Sequence, residues 1–166
     1  DLGKTLLVFP SHSTSTLQTN YSHKAFIEKI LDIKSKFQCK SVMVCLYWLD
    51  CHNIELVKAY QKAGFRLSCA GHKWDIDFLD RLKSIILLSD LTVSNDVGTH
   101  LGYCIHLGKP HFIIDSVRLE SKNDAGKEAL KMERGIDRER EICEVKSAFD
   151  YCKNSSYEDI SQLQQE

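Results

Sequence analysis

The sequence predicts an α/β domain with a doubly wound, Rossmann-like parallel sheet of about five to six strands and helices on both faces. Over residues 1–116, short apolar runs of β-favouring residues alternate with segments of helical periodicity. Each connection is about one helix long, as a right-handed crossover between parallel strands requires. No Asn-Gly or Asp-Gly dipeptide lies between the strand-like runs, so antiparallel hairpins have no turn signal.

The first elements follow from the spacing of apolar side chains. Residues 5–9 form a short apolar strand that stops at Pro10, and a polar, hydroxyl-rich loop follows over residues 10–21. From residue 21 or 22 to Phe37, apolar side chains recur every three or four positions, which predicts a helix. Residues 41–47 are again continuously apolar, which is typical of a strand covered on both faces.

The same alternation continues along the chain. Residues 50–63 have helical periodicity, and Gly64 supplies a helix stop. Residues 65–70 predict a third strand, after which Asp75 is placed to cap a helix that runs to Ser89. The remaining predicted elements are a fourth strand at 91–94, a short helix at 99–107 ended by Gly108, and a fifth strand at 110–115.

The last third of the chain has a different character. Residues 120–141 are densely charged with few apolar side chains, and we expect a solvated loop with some helix there. Residues 157–163 predict a final helix. We therefore divide the chain into a Rossmann-like domain, residues 1–116, and a charged segment with C-terminal helices, residues 117–166, that packs on the same domain.

Composition excludes several classes of protein. With 43% hydrophobic and 27% charged residues in a chain of 166, the sequence is neither disordered nor collagen-like. A net charge of −1 argues against a nucleic-acid binder, which needs a concentrated basic surface. The apolar runs are too short to span a membrane, and no signal peptide is visible. We predict a cytoplasmic protein, at most peripheral to the inner face of the membrane.

The cysteines and histidines predict neither a disulfide framework nor a metal site. The seven cysteines are odd in number and contain no Cys-x-x-Cys pair, so we interpret them as reduced intracellular thiols. No pair among the seven histidines and seven cysteines has the sequence spacing that is typical of metal ligands. We therefore predict no metal and no cofactor.

The loops that follow the predicted strands are the candidate binding site, because open parallel sheets bind ligands beyond the carboxyl ends of their strands. After the fourth strand the chain turns at a glycine and enters a helix, whose first amides and positive dipole end favour a phosphate. The candidates in this loop are Ser94, Asn95, Asp96, Gly98, Thr99 and His100. A plain helix cap by Asn95 or Asp96 is the alternative interpretation.

The loop after the first strand adds a second set of candidates. Ser11, His12 and Ser13 are placed to donate hydrogen bonds to a phosphate, although a solvated loop histidine is an equal alternative. His111 lies inside the fifth strand, and we interpret it as structural.

One segment resembles a known family. Residues 89–103 read Ser-Asp-Leu-Thr-Val-Ser-Asn-Asp-Val-Gly-Thr-His-Leu-Gly-Tyr, and residues 107–110 read Leu-Gly-Lys-Pro. This pattern is similar to the donor-binding segment in the C-terminal domain of GT-B fold glycosyltransferases, nearest to the bacterial enzymes of lipopolysaccharide and capsule synthesis. The resemblance covers roughly residues 5–116, and only its last third is distinctive.

The resemblance implies a nucleotide-sugar-binding domain for a UDP-, GDP-, ADP- or CMP-linked donor. It places the nucleotide base against the loop of Gly71, His72 and Trp74. It also implies an acceptor-binding domain outside this chain, so that this chain alone is not expected to be active and no catalytic residue is assigned. A sugar-nucleotide epimerase-type domain and a non-catalytic nucleotide- or partner-binding α/β module remain the alternatives.

Overall fold

A computed structural model describes residues 2–133 and 136–153. The strands are β1 (Thr5–Phe9), β2 (Leu17–Asn20), β3 (Ser41–Cys45), β4 (Arg66–Ser68), β5 (Leu91–Ser94), β6 (His111–Ile113) and β7 (Arg118–Ser121). The helices are α1 (His23–Lys36), α2 (Ile54–Lys62), α3 (Phe78–Leu87), α4 (Thr99–His106), α5 (Asp124–Glu133) and α6 (Ile136–Ala148), and a single 3-10 turn covers Asp50–His52.

Five parallel strands form the main sheet in the order β4-β3-β1-β5-β6. The chain moves outward from β1 through β3 to β4, and then crosses to the other side of β1 to add β5 and β6. This arrangement confirms the predicted Rossmann-like fold class. Because the direction of winding reverses at β1, the helices that follow β1 and β5 lie on opposite faces of the sheet, and the ends of these two strands mark the topological switch point.

Alternate residues of β1 show that helices cover both faces of the sheet. Leu6 and Val8 pack into one cluster with the buried side chains of α1 and α2. Leu7 and Phe9 point the other way and pack with α3 and α4. Since successive side chains of a strand face opposite sides, a central strand covered twice must be apolar throughout, as β1 is.

Side-chain caps and glycines set several of the helix ends. The Ser22 hydroxyl accepts from the Ala25 amide at 3.2 Å and starts α1. Asn53 is extended (φ −80°, ψ 96°) and its Oδ1 accepts from the Leu56 amide, so the predicted helix 50–63 is divided and α2 starts at Ile54. Gly64 has φ +78°, the left-handed conformation that ends a helix, which confirms the predicted stop.

The predicted cap at Asp75 is wrong. Its Oδ1 accepts from the Asp77 amide at 3.0 Å within a turn, and α3 begins only at Phe78. The Asp75 carboxylate also pairs with Arg81 at 2.7 Å. The Asp77 amide and Arg81 therefore both bind the Asp75 carboxylate, which is not available to cap α3.

The loop predicted over residues 10–21 contains a strand that the sequence did not indicate. β2 pairs with β7 in a separate antiparallel ladder, in which Thr19 is opposite Leu119. The two strands are distant in the sequence, so the absence of hairpin turns did not exclude them. Lys122 extends the contact through its amide, which donates to the Thr16 carbonyl at 2.9 Å.

The prediction of a solvated loop with some helix over residues 120–141 underestimates the helix, because most of the described part of this segment is helical. Local ion pairs support these exposed helices, as between Arg140 and Glu144 at 3.0 Å in α6. The end of α6 joins a small apolar cluster with β6 and α4 through Phe149, Ile113 and Leu101. The helix predicted at 157–163 lies outside the described residues.

Within the described part of the chain, no helix is both long enough and apolar enough to cross a bilayer.

Candidate functional site

The loops after β1 and β5 meet at the switch point, as the parallel sheet requires. The Ser11 amide donates to Oδ1 of Asn95 at 2.7 Å, and the Asn95 side chain is wholly buried. The Tyr21 hydroxyl donates to the Ser11 carbonyl at 3.2 Å from below. Asn95 therefore connects one predicted ligand loop to the other through its side-chain oxygen.

A group of buried hydroxyls lies under this contact. The Tyr21 hydroxyl interacts with Tyr60 and Asn95. Burial raises the pKa of Tyr21 to about 12 and raises that of Tyr60 further. Both phenols therefore stay neutral at physiological pH, and the Tyr21 hydroxyl is the one that donates to the loop after β1.

Ser94 is occupied inside the protein. Its hydroxyl lies 2.7 Å from the Asp96 carbonyl and 3.0 Å from Nε2 of His111. Nδ1 of His111 lies 2.7 Å from the Thr92 hydroxyl, and the ring is wholly buried. Burial, with a smaller effect from nearby His100, holds the pKa of His111 well below 6.5, so the ring is a neutral member of the core.

Asp96 is also occupied. Its Oδ1 accepts from the Val97 amide and from Nζ of Lys146, each at 2.8 Å. The same ammonium lies 2.8 Å from Oδ1 of Asp115, so it connects the loops after β5 and β6. Burial lowers the pKa of Lys146, but hydrogen bonds and charge interactions with Asp115 and Asp96 outweigh this effect and raise it. The lysine thus neutralises carboxylate charge beside the start of α4.

The start of α4 has no side-chain cap. Gly98 is the N-cap residue in extended backbone, and no side chain bonds to the first turn. The Leu101 amide turns back to the Gly98 carbonyl at 3.0 Å. Thr99 is exposed. Among the described residues, no side chain therefore caps the first amides of α4, as an anion site requires, although the carboxylates of Asp96, Asp115, Glu120 and Glu139 line the adjoining cleft.

His100 folds back over the glycine turn. A Cβ at Gly98 would lie 2.7 Å from Cε1 of the ring, and the ring stacks on Phe9 with centroids 4.9 Å apart. Its Nε2 is shielded from solvent and has no hydrogen-bond partner among the described residues. Burial, assisted by His12, lowers its pKa to about 4, so the imidazole is neutral at physiological pH.

The loop after β1 offers less to a ligand than the sequence predicts. The His12 ring stacks on Tyr47 with centroids 3.8 Å apart, and burial lowers its pKa. The Ser13 hydroxyl is bonded to the hydroxyl and the amide of Thr19, each at 3.1 Å. The Ser13 hydroxyl is therefore engaged within the loop, whereas no hydrogen bond of the His12 imidazole is found among the described residues.

The loop predicted to hold a base follows β4, two strands away from β1. That separation is roughly 10 Å across a sheet. Nδ1 of His72 accepts from the Trp74 amide at 3.2 Å, and the His72 ring meets Trp48 edge-on. The Trp74 side chain is 81% exposed, and Gly71 has φ +91° with Arg81 close to its α-carbon. Arg81 thus occupies the space beside Gly71, while Trp74 stands in solvent.

A cleft of about 800 Å³ adjoins the start of α4. Gly98 and Thr99 form part of one wall, Arg118 of β7 forms another, and Cys143 and Lys146 of α6 form the third. This volume is within the range of small-molecule sites. The sequence did not indicate these last three residues, because their contribution depends on where β7 and α6 pack rather than on any local pattern.

Comparison with protein-family models, with curated proteins and with solved structures finds no match to this chain.

Proposed function

We propose that this chain is the nucleotide-sugar-binding domain of a GT-B-type glycosyltransferase that makes a surface polysaccharide, with the donor phosphates at the start of α4. The observation that carries the proposal is the first turn of α4, which no side chain caps and which adjoins the 800 Å³ cleft at the strand ends. The segment with the glycosyltransferase-like pattern, residues 89–103, is the one that forms β5, this turn and α4.

The proposed role of α4 is electrostatic. Negative charge on the nucleotide grows as the glycosidic bond breaks, and the aligned amides at Gly98 and Thr99 stabilise it. A helix N-terminus contributes about 0.3–1 kcal/mol at an exposed site, and up to ~2 kcal/mol where it is partly buried. Lys146 supports this role indirectly, because it pairs with the nearby carboxylate of Asp96 that would otherwise repel a phosphate.

Two neutral imidazoles complete the proposed phosphate site. His100 lies against Gly98 with a shielded Nε2, and His12 lies on the facing loop. A neutral imidazole can donate one N–H to a phosphate oxygen or accept from a sugar hydroxyl. We assign neither ring a proton-transfer role and propose that the acceptor and its base belong to a separate domain.

A second candidate function is a non-catalytic module that binds a nucleotide or a protein partner. It is favoured by the internal engagement of Ser94, Asn95 and Asp96, which leaves these three predicted ligands bonded within the protein. Under this interpretation the loops have a structural role, and the amides at the start of α4 do not stabilise a transition state.

Thermal unfolding in the presence of ligands tests the proposal. UDP, GDP, ADP, CMP and their sugar conjugates are added singly, with the matching nucleosides as phosphate-free controls. A ligand at a hundredfold excess over its dissociation constant stabilises the fold by about 2.7 kcal/mol. We expect one phosphate-bearing series to raise the midpoint and its nucleoside to have a much smaller effect.

Two glycine variants localise the response. Gly98→Val places a branched side chain against the His100 ring and over the amides, so it should abolish the shift while unfolding stays cooperative. Gly102→Ala, in the same helix, adds a methyl group where no atom lies within 4 Å and should retain the shift. If no nucleotide shifts the midpoint, the nucleotide-sugar proposal is contradicted and a module that binds a protein partner is favoured.

A further inference from the structure

Three of the seven cysteines converge at the carboxyl ends of β3 and β4. Cys45 is the last residue of β3, Cys51 lies in the 3-10 turn that follows, and Cys69 directly follows β4. In the β3–β4 ladder Cys45 is opposite Ser68, and the Leu46 amide donates to the Ser68 carbonyl at 2.9 Å. Strand pairing thus brings the chain just beyond β3 alongside Cys69.

Specific contacts hold the two outer thiols in place. The Cys51 thiol lies 3.6 Å from the Tyr47 carbonyl, to which it donates. The sulfur of Cys69 accepts from the Gly71 amide at 3.2 Å. The turn that carries Cys51 and the residue Cys69 thus lie at the same end of two paired strands, and Cys51 is exposed whereas Cys45 is buried.

We propose that Cys51 and Cys69 form a redox-active thiol pair that exchanges with a low-molecular-weight disulfide such as glutathione disulfide and closes an intramolecular disulfide. The proposal rests on the strand pairing that brings the segment after β3 alongside Cys69 and on the exposure of Cys51. It does not depend on the proposed nucleotide site.

The exchange balances in two steps. The Cys51 thiolate attacks one sulfur of glutathione disulfide, which breaks the glutathione S–S bond and releases one glutathione thiolate. The Cys69 thiolate then attacks the Cys51 sulfur of the mixed disulfide and releases the second. Two protein thiols are oxidised, one small disulfide is reduced to two thiols, and the two protein protons pass to the released glutathione.

The surroundings of the pair make the exchange dependent on pH. Burial, the neighbouring Cys69 and the Asp50 carboxylate raise the pKa of Cys51 to about 11. Only the thiolate attacks, so its population and the rate of the first step should rise about tenfold per pH unit below that value. Burial raises the pKa of Cys45 to about 12, which makes this sheltered thiol a poor competitor.

The disulfide would join the loop after β3 to the loop that contains Gly71 and His72. These loops are connected in the reduced protein by strand pairing and by the edge-on contact of Trp48 with His72. A covalent bond between them would restrict their relative movement in the folded protein and constrain the unfolded chain, so the oxidised form should unfold at a higher temperature.

The test uses the full chain in buffers of graded glutathione disulfide-to-glutathione ratio at neutral pH and at about pH 9. After acid quenching and alkylation of remaining thiols, the tryptic peptide that contains Cys69 is examined for a disulfide to the peptide of residues 41–58. That peptide also contains Cys45, so variants must identify the partner. We expect the cross-link in the wild type, faster at the higher pH.

Single substitutions distinguish the partners. Cys51→Ser and Cys69→Ser should each abolish the cross-link, whereas Cys45→Ala and the distant, exposed Cys152→Ser should retain it. A cross-link that persists in Cys51→Ser would overturn the assignment in favour of Cys45. No cross-link in the folded wild type at a large excess of glutathione disulfide and about pH 9 would overturn the proposal altogether.

Discussion

The Ser11 amide and the Asn95 side-chain oxygen, 2.7 Å apart, connect the two loops at the switch point of the sheet. The contact joins the end of β1 to the end of β5 by one buried hydrogen bond. Because the donor is a main-chain amide and the acceptor is a side chain, a substitution at position 95 removes the bond, whereas one at position 11 keeps it.

Asn95→Ala should therefore lower the free energy of unfolding by about 1–3 kcal/mol, since the Ser11 amide loses its acceptor in a partly buried site. Ser11→Ala keeps the main-chain N–H and should change stability by less than about 0.5 kcal/mol. Urea denaturation of both variants measures the difference. Equal losses in the two variants would show that the bond is not what holds the loops together.

His111 should make the protein sensitive to acid. Its folded pKa lies well below its unfolded value of 6.5, so the unfolded chain binds the proton more tightly. Stability from the neutral ring is complete above pH 6.5 and is lost as the pH falls below it, by about 1.4 kcal/mol per pH unit until the folded pKa is reached.

His111→Leu should remove that contribution and reduce the slope of the stability profile between about pH 7 and pH 5, leaving the slope that His100 contributes. The hydroxyls of Thr92 and Ser94 keep partners in the variant, because they also contact the carbonyls of Pro110 and Asp96. Urea midpoints across this pH range measure the slope. Parallel profiles for the variant and the wild type would contradict the assignment of the acid sensitivity to this ring.

Lys146 should contribute more than an ordinary surface lysine. Its ammonium is 20% exposed and pairs with Asp96, which is 18% exposed, and with Asp115. We expect Lys146→Met to cost about 1–3 kcal/mol and to weaken any phosphate ligand, because partly buried carboxylate charge is left beside α4. Chemical denaturation and ligand titration measure the two effects.

Arg140→Met is the matched control, since the Arg140–Glu144 pair on the same helix is largely exposed. It should cost less than about 0.5 kcal/mol. If the two variants lose equal stability, the Lys146 bridge has no special role.

Gly126 should tolerate no side chain. A Cβ there would lie 2.3 Å from the Thr16 carbonyl oxygen, which is backbone and cannot rotate away. Gly126→Ala should therefore displace α5 from the β2–β7 ladder and destabilise the protein. Gly102→Ala, within α4 and in open space, should stabilise it by up to about 1 kcal/mol through helix propensity. Thermal and urea unfolding compare the pair, and a neutral Gly126→Ala would contradict the close packing of α5.

The main sheet could be predicted because its signals are local. Runs such as Leu6–Val8 and Val42–Val44 are apolar at every position, and glycines such as Gly64 mark the helix ends. By contrast, β2 and β7 pair with each other although they are far apart in the sequence, and neither has a strong apolar pattern of its own. Pairing between such distant segments is decided by tertiary packing, so sequence periodicity did not reveal it.

In the candidate site, the positions of the loops could be predicted from the sequence, but the partners of their side chains could not. The parallel sheet predicted from the sequence brings residues 11–13 and 94–100 to the same edge, and both loops lie there in the structure. Whether a polar side chain faces a ligand or another loop depends on contacts that a linear pattern does not contain. Asn95 and Asp96 are examples, since their partners Ser11 and Lys146 come from distant parts of the chain.

By itself, then, the sequence determined the α/β class, the parallel winding and the turn at Gly98, because apolar periodicity and glycine act over a few residues. Tertiary structure alone decided that Lys146 reaches Asp96, that His100 turns back over Gly98, and that Cys51 and Cys69 lie at the same end of the paired strands β3 and β4. Such contacts between segments require the whole fold, because the distance between two side chains is set by the packing of every element that separates them.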